Sequence, residues 1–483
     1  MFKYLFRFAS VLIMLPALLL SQSVKDHPRV QEAVGLIENW IDAQHDYEQI
    51  PGITMGIVYK DEQLYEHAFG VSDLERQSPM KTESIFSICS ISKLFTSIAL
   101  MQLRDKGLLR LDDPIGKYLK WFDIEQLYPE GPPITIESIL THSSGLPRES
   151  DFPYWNAPGF EFPSREEMIN RLKNQKTLYP ASTYFQYSNL GLTLAGEIVH
   201  EVSGRPFKEY VIENIIKPLQ LTDTRPEMPE ELAGGQLATG YSAMTRKGRR
   251  EKLPFFQANG ITPAAGFSST MPDLIKFAEW QLRLLDKGGN EILNANTLRE
   301  MQRVHWLDPD WKTTRGLGFG VYRNSEITFV GHEGSCPGYR TAVMIQPDKE
   351  VAAVFMANAN GVNAGRYAQN ACRIMMPAIE TAEKSESAED NFNPDFKKYL
   401  GNYNYFPWGG EIAVIKWEGE LAMVYYPTSY PLDDLEKLEH VEGNTFRRVR
   451  SNGEPGDEIV FILDDNGNVE SMFEFSNYWP KFR

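Results

Sequence analysis

The sequence predicts an α+β domain, an antiparallel sheet with helices between its two ends, followed by a small all-β barrel. Three observations carry that prediction. Short β-rich runs stand near the start of the chain and again late in its first region, with long apolar helical patterns between them. The composition then changes at A-E-K-S-E-S-A-E-D-N, from Ala382 to Asn391, which is charged, small and without apolar anchors. Beyond Pro394, short alternating runs recur at close, even spacing. The expected segments are a leader (1–23), the α+β domain (28–380), a linker (381–393) and the barrel (394–483).

The leader is read from Lys3 and Arg7, the apolar stretch Phe8 to Leu20, and Ser21-Gln22-Ser23, where a signal peptidase could cut. That stretch falls short of the ~20 residues of a membrane span. An exported protein, periplasmic or secreted, with no integral span after cleavage is therefore expected; the alternative is an anchor left uncleaved. Val34, Ile37, Trp40 and Ile41 recur at helical spacing and predict a helix over 31–47. Ile53 to Tyr59 and Gln63 to Phe69 flank Lys60-Asp61-Glu62 as a hairpin. Leu94 to Leu103 is long and apolar enough for a buried helix ending near Lys106-Gly107, and Leu190 to Val202 is another, closed by Ser203-Gly204. Ile327–Val330, Thr341–Ile345 and Val351–Met356 predict three adjacent strands. In the barrel, strands are expected at Ile412–Ile415, Leu421–Tyr425, Thr445–Val449, Ile459–Leu463 and Val469–Phe475.

Charge narrows the function. The chain holds 65 acids against 49 bases, a formal charge of −16. An acidic chain repels phosphate backbones, so nucleic acid is not expected as a partner, and a small-molecule or peptide substrate is. Three cysteines, Cys89, Cys336 and Cys372, make no disulfide scaffold and contain no C-x-x-C. His332-Glu333 continues as Gly334-Ser335-Cys336 rather than H-E-x-x-H, so no metal or other cofactor is expected.

Ser90-Ile91-Ser92-Lys93 opens the Leu94–Leu103 helix as an S-x-x-K. Positions i and i+3 share a helical face, which puts the Lys93 amine within reach of the Ser90 hydroxyl. A serine hydroxyl needs a neighbouring base, and a lysine serves once burial lowers its pKa. A second S-x-x-K, Ser78 to Lys81, is interrupted by Pro79. Tyr187-Ser188-Asn189 precedes the next helix, where a tyrosine could be held as phenolate or could relay a proton, and Asn189 could orient Lys93 and hold a substrate amide. Other Y-x-N triplets begin at Tyr154 and Tyr322. Gly331-His332-Glu333-Gly334-Ser335, expected between two strands, allows close backbone approach to a ligand, with the Ser335 and Ser90 N–H groups as an oxyanion hole.

In order and content these three elements resemble the serine β-lactamase and penicillin-binding protein superfamily, in its class C-like branch. Further stretches are similar to the same family: Gly107 to Pro114, Leu140-Thr141-His142-Ser143-Ser144-Gly145-Leu146, Pro263-Ala264-Ala265-Gly266-Phe267 leading to Asp273, and Gly338-Tyr339. The resemblance covers 28–380, and Tyr399-Leu400-Gly401-Asn402-Tyr403 resembles the start of a lipocalin-like barrel. It implies a β-lactamase/transpeptidase-like fold and a serine hydrolase that forms an acyl-enzyme on Ser90. Lys93 is then the base, Tyr187 the proton relay, and Asn189, His332, Gly334 and Ser335 the substrate-binding positions. Many β-lactamases of the family carry lysine where this chain has His332. A neutral histidine weakens carboxylate capture and favours esters, amides or D-amino-acid peptides over lactams. The alternative is a penicillin-binding or peptidoglycan-sensing protein that is acylated, or binds, without turnover. The barrel is expected to cover one rim of the cleft, and Cys89 and Cys336 to be reduced packing residues at the site.

Overall fold

The computed structural model describes residues 23–324, 326–384 and 390–483. The expected leader, up to residue 22, lies outside them, as does the middle of the expected linker. Helix α1 (Pro28–Tyr47) leads into strands β1 (Gly52–Tyr59) and β2 (Glu62–Asp73). Strand β3 (Phe86–Cys89) runs into helix α2 (Ser92–Asp105), and helix α3 (Asn189–Ser203) follows after a long loop region with short helices. Helix α4 (Met271–Lys287) precedes strands β4 (Gly320–Asn324), β5 (Ile327–Cys336), β6 (Tyr339–Gln346) and β7 (Val351–Ala357), and helix α5 (Ala364–Lys384) closes the domain.

Among the described residues, β1 and β7 pair antiparallel in the interior of a nine-stranded sheet and join the two ends of the domain. Both strands are buried along their whole length, and their side chains alternate between two cores. Ile53, Met55 and Ile57 face a layer that includes α1 and α5; Val354 and Met356 face the layer holding α2, α3 and α4. Coverage on both faces explains why these strands read as unbroken apolar runs.

Two boundaries differ from expectation in ways that matter for chemistry. Helix α2 begins at Ser92, so Ser90 is not on the helix but in the tight turn between β3 and α2. Cys89, with φ of 52°, makes the reversal in the left-handed region, which a side chain adopts only under local compulsion. The segment Gly331–Ser335 is not a connection between two strands; it is the second half of β5. Strand β4 pairs with β5 only up to Gly331, so one edge of His332–Cys336 carries no strand. Helix α5 also runs through Lys384, into the first residues of the expected linker.

The barrel is a meander of eight strands: β8 (Gly401–Asn404), β9 (Glu411–Trp417), β10 (Glu420–Tyr426), β11 (Leu435–Glu442), β12 (Thr445–Val449), β13 (Pro455–Leu463), β14 (Val469–Glu474) and β15 (Asn477–Pro480). Strands β8, β11 and β15 escaped the sequence reading because they are short or strongly polar. Backbone bonds of Asn402 with Arg483 and Phe482 nearly close the barrel. Its outer face is not free: Ala413, Ile415, Trp417, Ala422 and Val424 share a core with α1 and α5, and Trp40 Nε1 donates to the Thr428 carbonyl at 2.8 Å. The barrel therefore packs behind the sheet, on the face away from Ser90. None of the residues lining the cleft at Ser90 comes from it, so the expected cover over one rim is not there.

Candidate active site

A cleft of about 1010 Å³ opens at Ser90, where Tyr187, Asn189 and the His332–Cys336 edge of β5 also reach its wall. The turn that presents Ser90 is clasped from inside. Ser92 Oγ donates to the Cys89 carbonyl at 2.5 Å and accepts from the Phe267 amide at 3.0 Å. Ser90 itself remains partly open to the cleft, as a nucleophile must.

Lys93 has no solvent-exposed surface. Its Nζ lies 3.0 Å from Ser90 Oγ, 2.8 Å from Asn189 Oδ1 and 2.7 Å from the Ala264 carbonyl. Burial pushes its pKa down to about 7, while Cys336 and Glu149 act in the opposite direction. Holding the amine there costs the fold on the order of 5 kcal/mol below that pH, a cost that fades as pH rises toward the ordinary lysine value. A neutral amine has two N–H donors and one lone pair. Asn189 Oδ1 and the Ala264 carbonyl are pure acceptors and take both donors, which leaves the lone pair for the Ser90 hydroxyl.

Tyr187 has Lys93 Nζ 4.9 Å from its ring centroid and stacks on His142 at 4.3 Å. Burial raises its pKa well above the ordinary value, although its hydrogen bond to Ser90 works the other way. It therefore stands as a neutral phenol, not the phenolate that the sequence left open. His142 is fixed in turn by accepting the Ser188 amide at Nδ1, 3.0 Å away, and burial keeps it neutral. His332 is likewise neutral: burial first, then Lys93, pushes it down to about 3, and its Nδ1 bonds the Glu333 carbonyl at 2.6 Å.

Gly334 is a packing requirement. A Cβ there would lie 2.4 Å from the Ile88 carbonyl oxygen and 2.1 Å from Thr341 Oγ1. The bare backbone lets β5 close on β3, setting the chain at Ser335 beside the chain at Ser90. Gly334→Ala is expected to separate these strands and lower the rate of Ser90 acylation by about 100-fold, the scale of one lost oxyanion donor. Acylation kinetics, alongside a thermal melt showing a folded protein, check it. The Ser335 hydroxyl accepts from Arg340, another residue of the cleft wall.

The structure thus brings Ser90, Lys93, Tyr187, Asn189, His332, Gly334 and Ser335 to one cleft. It adds groups that sequence reasoning left without a role. The Ala264 carbonyl bonds Lys93, and His142 backs Tyr187; both stood in stretches noted only for their likeness. Tyr322 lines the cleft and Tyr154 donates to Glu149, although their triplets carried no signal. Arg148, Glu149, Arg315 and Arg340 also line the wall, and no local pattern marks them. Cys89 and Cys336 are free and buried.

The family model described as Beta-lactamase matches residues 37–371. The chain belongs to the beta-lactamase family. It is thus a member of a superfamily of serine hydrolases. Beta-lactamase-like protein 2 of Dictyostelium discoideum is 26% identical over 383 residues, covering 77% of this chain and 68% of that protein. Penicillin-binding protein 4* of Bacillus subtilis (strain 168) is 25% identical over 311 residues, covering 61% and 65%. The chain thus spans about two thirds of the length of these family relatives. The solved structure of the octameric penicillin-binding protein homologue from Pyrococcus abyssi superposes with a TM-score of 0.63 at 25% identity, covering 92% of this chain and 99% of that one. The likeness to that family structure extends through the barrel.

Proposed function

We propose that this family member is an acyl-enzyme-forming serine hydrolase that cleaves an ester, amide, peptide or lactam. The observation that carries the reading is the donor count at Lys93: both N–H groups are engaged by acceptors, and the remaining lone pair faces Ser90 Oγ at 3.0 Å. In the forward step the hydroxyl proton passes to Lys93 as Oγ bonds the carbonyl carbon. The Ser90 and Ser335 amides stabilise the oxyanion, and Tyr187, a neutral phenol, hands a proton to the leaving group and regains one from the Lys93 ammonium, which returns both groups to their neutral forms. Water then releases the acyl group by the same route. His332, uncharged above about pH 3, offers a substrate hydrogen bonding rather than a cation.

A fluorophosphonate probe tests this directly. One adduct is expected, on the peptide carrying Ser90, forming faster as pH rises through about 7 and Lys93 becomes neutral. An adduct elsewhere, or none, removes the reading. The word penicillin-binding in the name of the Bacillus subtilis relative favours a second outcome, acylation without turnover. A lactam adduct that persists for hours would select it. For location we keep the export reading, tested by the N-terminal residue of the mature protein.

A further inference from the structure

We propose that Glu149 is a positioning residue for the proton-transfer groups: one carboxylate fixes the Asn189 amide against Lys93 and the Arg148 guanidinium against Tyr187. The proposal rests on the acyl-enzyme reading above. It starts from connectivity. Asn189 Nδ2 donates to Glu149 Oε1 at 2.7 Å, and Arg148 Nε lies 3.3 Å from the same oxygen. The Tyr154 hydroxyl donates to Oε2. Three donors on two oxygens match an ionised carboxylate. The segment is pinned from behind as well: the Arg148 carbonyl accepts the Asn189 amide at 2.8 Å, and Gln175 Nε2 donates to the Glu149 carbonyl at 2.8 Å.

The amide orientation is what matters. With Nδ2 committed to Glu149, Asn189 must turn Oδ1 to Lys93. A flipped amide would aim an N–H at the amine, and that N–H would compete with Ser90 for the lone pair. The other arm holds the Arg148 guanidinium 4.9 Å from the centroid of the Tyr187 ring. Glu149 is thus bonded to Asn189, Arg148 and Tyr154, and through the first two it orders the base on one side and the phenol on the other.

Its charge adds a pH signature. Lys93 faces Glu149, Arg148, Tyr187, His142 and His332, together with the thiols Cys89 and Cys336. The two histidines, the tyrosine and Cys89 are uncharged at neutral pH, while Cys336 and Glu149 favour the ammonium form and Arg148 opposes it. Removing Glu149 makes the amine lose its proton more readily.

The readout is the rate at which a fluorophosphonate labels Ser90 in the full chain, followed across pH. In that step Oγ bonds phosphorus, fluoride leaves, and the hydroxyl proton passes to Lys93, so no natural substrate is needed. Glu149→Gln is expected to move the acid limb about one pH unit lower, the scale of one neighbouring charge. Glu149→Asp, which keeps the charge on a shorter arm, is expected to hold the limb in place while slowing labelling. Glu149→Leu is expected to lower the plateau rate at least tenfold. A Gln profile that superposes on the wild type overturns the proposal, and so does a limb that moves equally in the Asp variant. Failure of the wild type itself to label at Ser90 would instead overturn the acyl-enzyme reading.

Discussion

Ser90→Ala is expected to lower turnover of any ester or amide substrate by roughly a thousandfold or more, with the fold unchanged. The size follows from what the side chain is for: among the described residues the hydroxyl hydrogen-bonded to Lys93 Nζ is that of Ser90. The turn does not depend on Ser90 Oγ, because Ser92 clasps it through the Cys89 carbonyl and the Phe267 amide. Steady-state kinetics on a p-nitrophenyl ester, with circular dichroism as the control for folding, provide the measurement. Turnover within tenfold of the wild type would contradict the assignment of the nucleophile.

Lys93→Met is expected to slow acylation of Ser90 by about 10²–10⁴, the usual contribution of a general base. Methionine matches the length of the buried stem, so the loss isolates the amine. The pH profile gives the sharper test. In the wild type the rate should rise with pH through about 7, since the neutral amine is the active form and the group is protonated below that value. No alkaline limb from Tyr187 should follow in the ordinary tyrosine range, because burial holds the phenol protonated beyond it. Nor should His332 add an acid limb above about pH 3. Residual activity of the methionine variant should lose the inflection near 7. If it stays, another group is the base.

These expectations were legible in the sequence to different depths. The S-x-x-K could be read because three residues of spacing fix reach, even though Ser90 proves to sit in the turn and not on the helix. Tyr187-Ser188-Asn189 was readable only with the apolar helix that follows it; Tyr154 and Tyr322, in triplets of the same Y-x-N pattern, lie near the same cleft for reasons of packing that no triplet encodes. The left-handed Cys89 and the closeness of Gly334 to the Ile88 carbonyl could not be anticipated, since each depends on how β3 meets β5. In the barrel, Ile412–Ile415 and Leu421–Tyr425 showed themselves by unbroken apolarity. That apolarity serves both the barrel interior and the face docked on α1 and α5. The polar strand Leu435–Glu442, with a single fully buried side chain, gave no such sign.

By itself the sequence determined the α+β domain, the barrel, the helix that buries Lys93 and the candidate nucleophile, because periodicity and short spacing are properties of neighbouring residues. Only the tertiary structure decided that Lys93 is buried, with its pKa brought down to about 7 and two acceptors on its amine, and that Tyr187 is held as a phenol; the role proposed for Glu149 rests on the same packing. Protonation and orientation depend on burial and on partners such as Ala264 and Asn189, which lie 171 and 96 residues away along the chain and meet Lys93 only when the helices pack.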